Sequence, residues 1–439
     1  MKPRRAIFGW AMYDFANSAF ATTVLAVVFL EYFRSTVVGK EGFHGVPGAS
    51  LWLYIYSLAM ILVVLTGPAL GAFADASARR KRFLVVCCIV GSAATVLMAF
   101  VTPGDILFAA VLVVLSAYAF AAGNIFYNSF LPDVSEPRTM GRVSGLGWGL
   151  GYLGGGLCLV LNLCMIENPQ WFGIPPGNHL PVRLSVCVAG VWWFVFAVPT
   201  FLWVKEPRPD ATSQRAPGPG AMRALGRTLA NLRSYRTLFL FVVAFLLYSN
   251  GVEAILAAAA LFGGQELSMT QAEIVKCFLM IQGVALVGSL GFGWLADRIG
   301  SKRAVLGSLA VWIAVLAWAY FVTSKPEFWV MGAVVGLVMG GTQATSRSLM
   351  GMMTPAAHKA EFFGFYAFGG RMAAVLGPLV CGIVAHRTGS MRPAVMSLIL
   401  FFAAGGVVLS RVNVKRGVRE KEDADARDGG PDSSKSETG

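Results

Sequence analysis

The sequence predicts an all-α integral membrane fold, twelve transmembrane helices arranged as two six-helix halves. Three observations predict it. Apolar runs of about 20 residues recur from end to end, the length that crosses a hydrocarbon core about 30 Å thick. Charge is scarce: 13% of the 439 residues are Asp, Glu, Lys or Arg, 56% are hydrophobic and the mean hydropathy is +0.65. A soluble chain carries about 25% charged residues. A loop motif also recurs half a chain apart, each time at the end of an apolar run.

The expected spans are 8–33, 50–74, 83–102, 106–131, 141–166 and 183–204, then 237–262, 272–296, 304–323, 328–353, 361–385 and 392–411. They divide the chain into a first half (1–204), a connection (205–236), a second half (237–411) and a tail (412–439). The fifth span carries eight glycines between Gly141 and Gly156, which depress helix propensity but suit close helix packing. The tail holds acids, bases, Ser and Gly without an aromatic residue and is expected to be disordered. The basic start, Met1-Lys2-Pro3-Arg4-Arg5, precedes a long run without a convincing cleavage site, and reads as a retained first helix.

The net charge of +13 sits in short clusters between apolar runs, so it marks topology and lipid headgroups rather than nucleic acid. The clusters Arg79–Arg82, Arg138 with Arg142, and Arg298 with Lys302 and Arg303 share a face with both termini. The positive-inside rule makes that face cytoplasmic, and the short loops suit a bacterial inner membrane. Seven cysteines fall inside apolar runs and read as small buried hydrophobes, and the four histidines fall in loops or helix ends and read as solvated. No cysteine or histidine spacing suits a metal, and no phosphate-cradling Gly-Lys-Ser/Thr loop occurs, so neither a cofactor nor direct ATP coupling is expected.

The repeat is specific. Gly71-Ala-Phe-Ala-Asp75 with Arg79 and Arg80 follows the second span, and Gly293-Trp-Leu-Ala-Asp297 with Arg298, Gly300, Lys302 and Arg303 follows the eighth, 222 residues later. Pro132 and Gly141 are spaced as Pro355 and Gly364 are. These residues resemble the signature loop of the major facilitator superfamily, whose fold is two parallel six-helix repeats. In the first copy Ala76 and Ala78 stand where the second has Arg298 and Gly300. The stretch Trp10-Ala-Met-Tyr-Asp14-Phe-Ala-Asn17-Ser-Ala-Phe20 is similar to the opening of the "unknown major facilitator" family, which includes the autophagy-related vacuolar amino-acid effluxers. So are Gly341–Ser348 and Ala360–Tyr366, whereas Asn250 stands where that resemblance implies an aspartate.

The resemblance implies a secondary transporter, not an enzyme, working by alternating access on a small polar solute, with amino-acid efflux and proton coupling as expectations. A single chain, lipid and small-molecule partners are implied with it. A multidrug exporter and a solute sensor are the alternatives. In Asp75 and Asp297 an acid at a helix end either pairs with loop arginines and neighbouring helix N-termini as a gate, or only sets topology. Glycine rows at 141/145/149, 147/151/155, 332/336/340 and 67/71 suit either sliding or static packing.

Polar groups at membrane depth are the candidate site. They are Asp14 and Asn17 in the first helix, Asn124 and Asn128 (with Tyr127) in the fourth and Tyr248, Asn250 and Glu253 in the seventh. Gln282 in the eighth, Gln343 and Arg347 in the tenth and Arg371 in the eleventh complete the set. Helices one, four, seven and ten are expected to line the cavity. Arg371 is expected to attract a carboxylate or pair with an acid of the other half, and Asp14 or Glu253 to take a proton; fixed salt bridges are the bland alternative. Arg347 and Glu253 read as able to reach an aqueous edge.

Overall fold

In the computed structural model, residues 4–175, 177–206 and 235–428 are described; the connection 207–234 and the last eleven residues, 429–439, lie outside that set. The first half holds α1 (Arg4–Val37), α2 (Gly48–Ala76), α3 (Arg80–Phe100), α4 (Ile106–Val134), α5 (Met140–Glu167) and α6 (Leu180–Trp203). The second holds α7 (Arg236–Leu267), α8 (Gln271–Ile299), α9 (Ser301–Ala319), α10 (Lys325–Met353), α11 (Lys359–Thr388) and α12 (Met391–Ser410). At about 1.5 Å per residue each is long enough to cross a bilayer. Twelve spans put the start of α1 and the end of α12 on one side, called here the terminal face.

Local chemistry sets several ends. Thr270 and Ser324 open α8 and α10 with capping boxes closed by Glu273 and Glu327. Gly389, at φ +70°, ends α11. Within α1 the ladder widens to π-helix at Ala21–Val27, where Thr22 turns its hydroxyl to Ser18 O and, across to α5, Gly155 O (both 3.1 Å).

Burial separates the halves. One apolar cluster runs from Leu238 to Val412 and another from Trp10 to Val204, the latter also taking in Ala360 of the second half. The outer surface is apolar: Leu107, Val287 and Leu400 are 77%, 61% and 72% exposed, which water would penalise and lipid would not. Inside, α1, α4, α7 and α10 are the central helices, with 61%, 50%, 67% and 67% of their apolar spans buried against 28–44% for α2, α3, α5, α6, α8, α9 and α12. The halves meet along α5–α8, α2–α11, α5–α10 and α4–α11, whereas α7 packs against α8, α10, α11 and α12 of its own half.

Two expectations are corrected. The tail is not disordered over its first part, because α13 (Val414–Asp428) is helical and docked. Glu420 accepts from Thr237 Oγ1 at 3.1 Å and from Arg416 Nε at 2.9 Å, and Asp425 accepts from Ala356 N at 2.7 Å. Its order thus comes from tertiary partners that composition does not reveal. His358, expected to be solvated, is half-buried, stacked on Phe362 at 5.3 Å and bonded to Glu361 at 2.6 Å.

Candidate functional site

Asp14 sits ten residues into α1, about 15 Å from the terminal face, and Arg347 six residues, about 9 Å, before the end of α10. They meet across the halves: Arg347 Nη1 donates to Asp14 Oδ2 at 2.9 Å, and both residues are buried. Arg347 also donates from Nη1 to Asn128 Oδ1 (3.1 Å), from Nε to Ser144 Oγ (3.0 Å) and from Nη2 to Ser144 O (2.8 Å). Tyr127 OH donates to Asp14 Oδ2 at 2.8 Å. The guanidinium carbon lies 4.9 Å from the Trp10 ring centre, 5.6 Å from Tyr127 and 5.2 Å from Trp148. A charge so far from water is held only when paired and hydrogen-bonded, and these groups do both.

The backbone makes room for the pair. A Cβ on Gly147 would fall 2.7 Å from Arg347 Nη2 and 2.8 Å from Asp14 Oδ2, so a larger residue here would displace the ion pair. Trp10 stacks on Tyr127 at 4.7 Å and donates Nε1 to Tyr127 O at 2.9 Å, which locks α1 to α4 beside the site.

The other predicted residues divide. Asn17 donates to Asn124 at 2.9 Å, one turn above Asp14. Gln343 accepts from Tyr152 OH, a further bond between the halves. Tyr248 OH shares a 2.7 Å bond with Ser346 Oγ inside the second half. Asn250 does not face a cavity: it donates to Leu246 O at 2.6 Å and accepts from Gly377 N at 3.0 Å, fixing α7 to α11. Gln282 is buried on α8 and Glu253 is half-buried on α7. The Arg371 side chain lies outside the described residues. Among the described residues the cation that meets Asp14 is Arg347, and it does not reach an aqueous edge, because α4 and α5 of the other half close over it. Sequence reading also missed Ser144, Trp148 and Tyr152; the one signal was the Trp10/Asp14 and Trp148/Tyr152 spacing of four, which puts each pair on one helix face.

The two signature loops make matched contacts at the terminal face. Asp75 Oδ2 accepts from Glu361 N at 2.9 Å at the start of α11. Asp297 accepts from Gly141 N at 2.9 Å, Arg142 N at 3.2 Å and Arg142 Nε at 2.7 Å at the start of α5. Each acid therefore caps the helix N-terminus of the other half, and the partial positive charge there favours it. Gly71 and Gly293 permit the approach, since a Cβ would fall 2.5 Å from Ala360 O or 2.6 Å from Gly141 O. Arg80 lies 3.7 Å from Asp75 and donates to Asp133 at 2.9 Å, and Lys359 reaches Asp133 from the other half at 2.6 Å. Gly300 turns at φ +92°, and its counterpart Ala78 makes the turn at φ +48° without being glycine. The remaining loop cations hold their own half: Lys302 caps Ser410 O and Val412 O at 2.7 and 2.8 Å, and Arg298 lies 3.8 Å over Trp294. Arg79 and Arg303 are exposed.

Replacing both acids, Asp75→Asn with Asp297→Asn, is expected to cost roughly 1 kcal/mol at each cap and to raise the population open at the terminal face by about 30-fold. Spin labels on the terminal ends of α5 and α8 would report a longer distance. An unchanged distance would show that the acids do not hold this face.

Solved structures share this architecture. The major facilitator superfamily transporter FucP in its outward conformation superposes with a TM-score of 0.73 at 13% identity, over 93% of this chain and 100% of that one. The human organic anion transporter TETRAN does so with 0.71 at 16% identity, over 93% and 100%. The fold and the two matched loops define a transporter of the major facilitator superfamily. Residues 34–422 match the family described as "Vacuole effluxer Atg22 like", to which the chain belongs. It is 31% identical over 410 residues to the "Uncharacterized MFS-type transporter YxiO" of Bacillus subtilis, covering 92% of this chain and 94% of that one. It is 26% identical over 472 residues to autophagy-related protein 22 of Coccidioides immitis, covering 89% and 77%.

Proposed function

We propose that this chain is a secondary transporter that exports amino acids or related small polar solutes by alternating access, coupled to protons through Asp14. The observation that carries the reading is the Asp14–Arg347 pair, which joins the halves at membrane depth. Opening the terminal face has to part this pair, and a proton delivered to Asp14 would remove the charge that holds it. The family's description as an effluxer supports export. The bacterial relative supports a plasma-membrane location with the terminal face cytoplasmic. A second reading, export of lipophilic cations, draws on the three aromatic rings around a single acid.

The test is counterflow of a labelled amino-acid panel by protein reconstituted in liposomes, with and without an imposed pH gradient. Saturable flux of one class is expected, with its pH dependence lost in Asp14→Asn. Folded protein that moves no amino acid but moves a lipophilic ammonium would replace the first reading with the second.

A further inference from the structure

The surroundings of Arg347 have a chemical character that does not depend on Arg347. The polar atoms that touch the guanidinium are acceptors: Asp14 Oδ2, Asn128 Oδ1, Ser144 O and Ser144 Oγ, the last of which gives its own proton to Ala344 O at 2.7 Å. Three aromatic faces and one formal negative charge complete the enclosure. This is the composition of a receptor for an organic cation.

Ownership of the parts matters as much. Trp10 and Asp14 lie on α1, Tyr127 and Asn128 on α4, Ser144 and Trp148 on α5, all in the first half, while the occupant is carried by α10 of the second. The α1 and α4 walls of the enclosure are tied together without Arg347, by Trp10 Nε1 to Tyr127 O and Tyr127 OH to Asp14, and its α5 wall packs on α1 within the same half. When the halves part at the terminal face it therefore keeps its shape and loses its cation. A bare carboxylate at that depth is costly, so it takes either a proton or another cation.

We propose that the cage of Trp10, Asp14, Tyr127 and Trp148 receives the ammonium group of the transported solute, which takes the place of the Arg347 guanidinium when the terminal face opens. This rests on reading the ion pair as a latch that opens. An amino-acid zwitterion satisfies both sides of the broken pair, with its ammonium on Asp14 and its carboxylate on the freed Arg347. Trp148 Nε1, buried and without an acceptor among the described residues, is a further donor for that carboxylate. Solute and Arg347 compete for the same atoms, so closure of the terminal face returns the guanidinium and drives the solute from the cage.

Chemical rescue tests the cage apart from transport. Purified Arg347→Ala would be melted in millimolar ethylguanidinium chloride, with sodium chloride at equal ionic strength as control. The expected result is a saturable recovery of about half the melting temperature lost, since a ligand that binds only the folded state stabilises it. No recovery is expected in Arg347→Ala with Asp14→Asn. Should Arg347→Ala not fold alone, it is purified in ethylguanidinium chloride and its melting compared before and after exchange into sodium chloride, where loss of the cation is expected to lower the melting temperature and an unchanged value would overturn the cage. Equal melting in the two salts, or equal rescue in the double variant, would overturn the cage as a cation receptor. Rescue without flux of any amino acid would keep the cage and remove the amino-acid reading. Amino-acid flux without rescue would remove the cage and keep the transporter.

Discussion

Arg347→Ala is expected to cost about 3–5 kcal/mol of stability, the range for removing one partner of a buried ion pair, and to abolish flux. Four hydrogen bonds disappear with the guanidinium. Asp14 keeps the Tyr127 hydroxyl but no counter-charge, and the aromatic faces that accommodated a cation then border a cavity. Asp14→Leu with Arg347→Met is expected to recover most of the lost stability, because apolar pairs of similar volume replace buried ion pairs well. Its flux is expected to remain absent, since the halves would then stay joined by a contact that no proton or solute can open. Melting of purified Asp14→Leu, Arg347→Met and the double variant in detergent, combined as a double-mutant cycle, reads the coupling directly. A loss below about 1 kcal/mol for Arg347→Ala would match a solvated surface pair and end the latch reading.

The architecture was legible in the sequence because its signals are one-dimensional. Apolar run length gives the spans, and the repeat of Gly71–Asp75 at Gly293–Asp297 gives the halves. The polar residues on helices one, four, seven and ten also marked the central helices. The pairing was not legible. Arg347 lies six residues from a helix end, where a long side chain ordinarily snorkels to water. What keeps it dry is α5 of the other half, and no local pattern announces that cover. Asn250 and Tyr248 read as cavity residues by polarity alone, yet each finds its partner inside its own half. The tail illustrates the reverse case: its composition reads as disordered, and the contacts of Glu420 with Thr237 and of Asp425 with Ala356 tie it to other elements. Composition reports what a segment can do alone, and these misses are all tertiary.

The glycine rows of α5 left sliding and static packing undecided, and the structure assigns them different neighbours. Gly141, Gly145 and Gly149 face α8 of the other half; a Cβ on Gly145 would fall 2.4 Å from Ser289 O. Gly151 and Gly155 face α1 of the same half together with Gly154, where a Cβ would fall 2.1 Å from Phe15 O, while Gly147 borders both α1 and Arg347 of α10. Both clashes are with backbone, so no rotamer change relieves either. Parting the halves does relieve the first, whereas the second yields only if α1 leaves α5. Gly154→Ala is therefore expected to lower stability by about 1–3 kcal/mol, as overpacking does, with little change in the distance between the halves. Gly145→Ala is expected to melt within about 1 kcal/mol of wild type while lengthening the α5–α8 spin-label distance at the terminal face. Its flux is expected to fall by at least about tenfold, a shift of roughly 1.4 kcal/mol against the closed state. Equal destabilisation by both substitutions, at unchanged distance, would make the α5–α8 seam fixed packing and move the sliding surface elsewhere. Separate outcomes would mean that one helix carries its anchor and its bearing on two faces a few residues apart, which is the arrangement two halves rocking about α5 and α8 require.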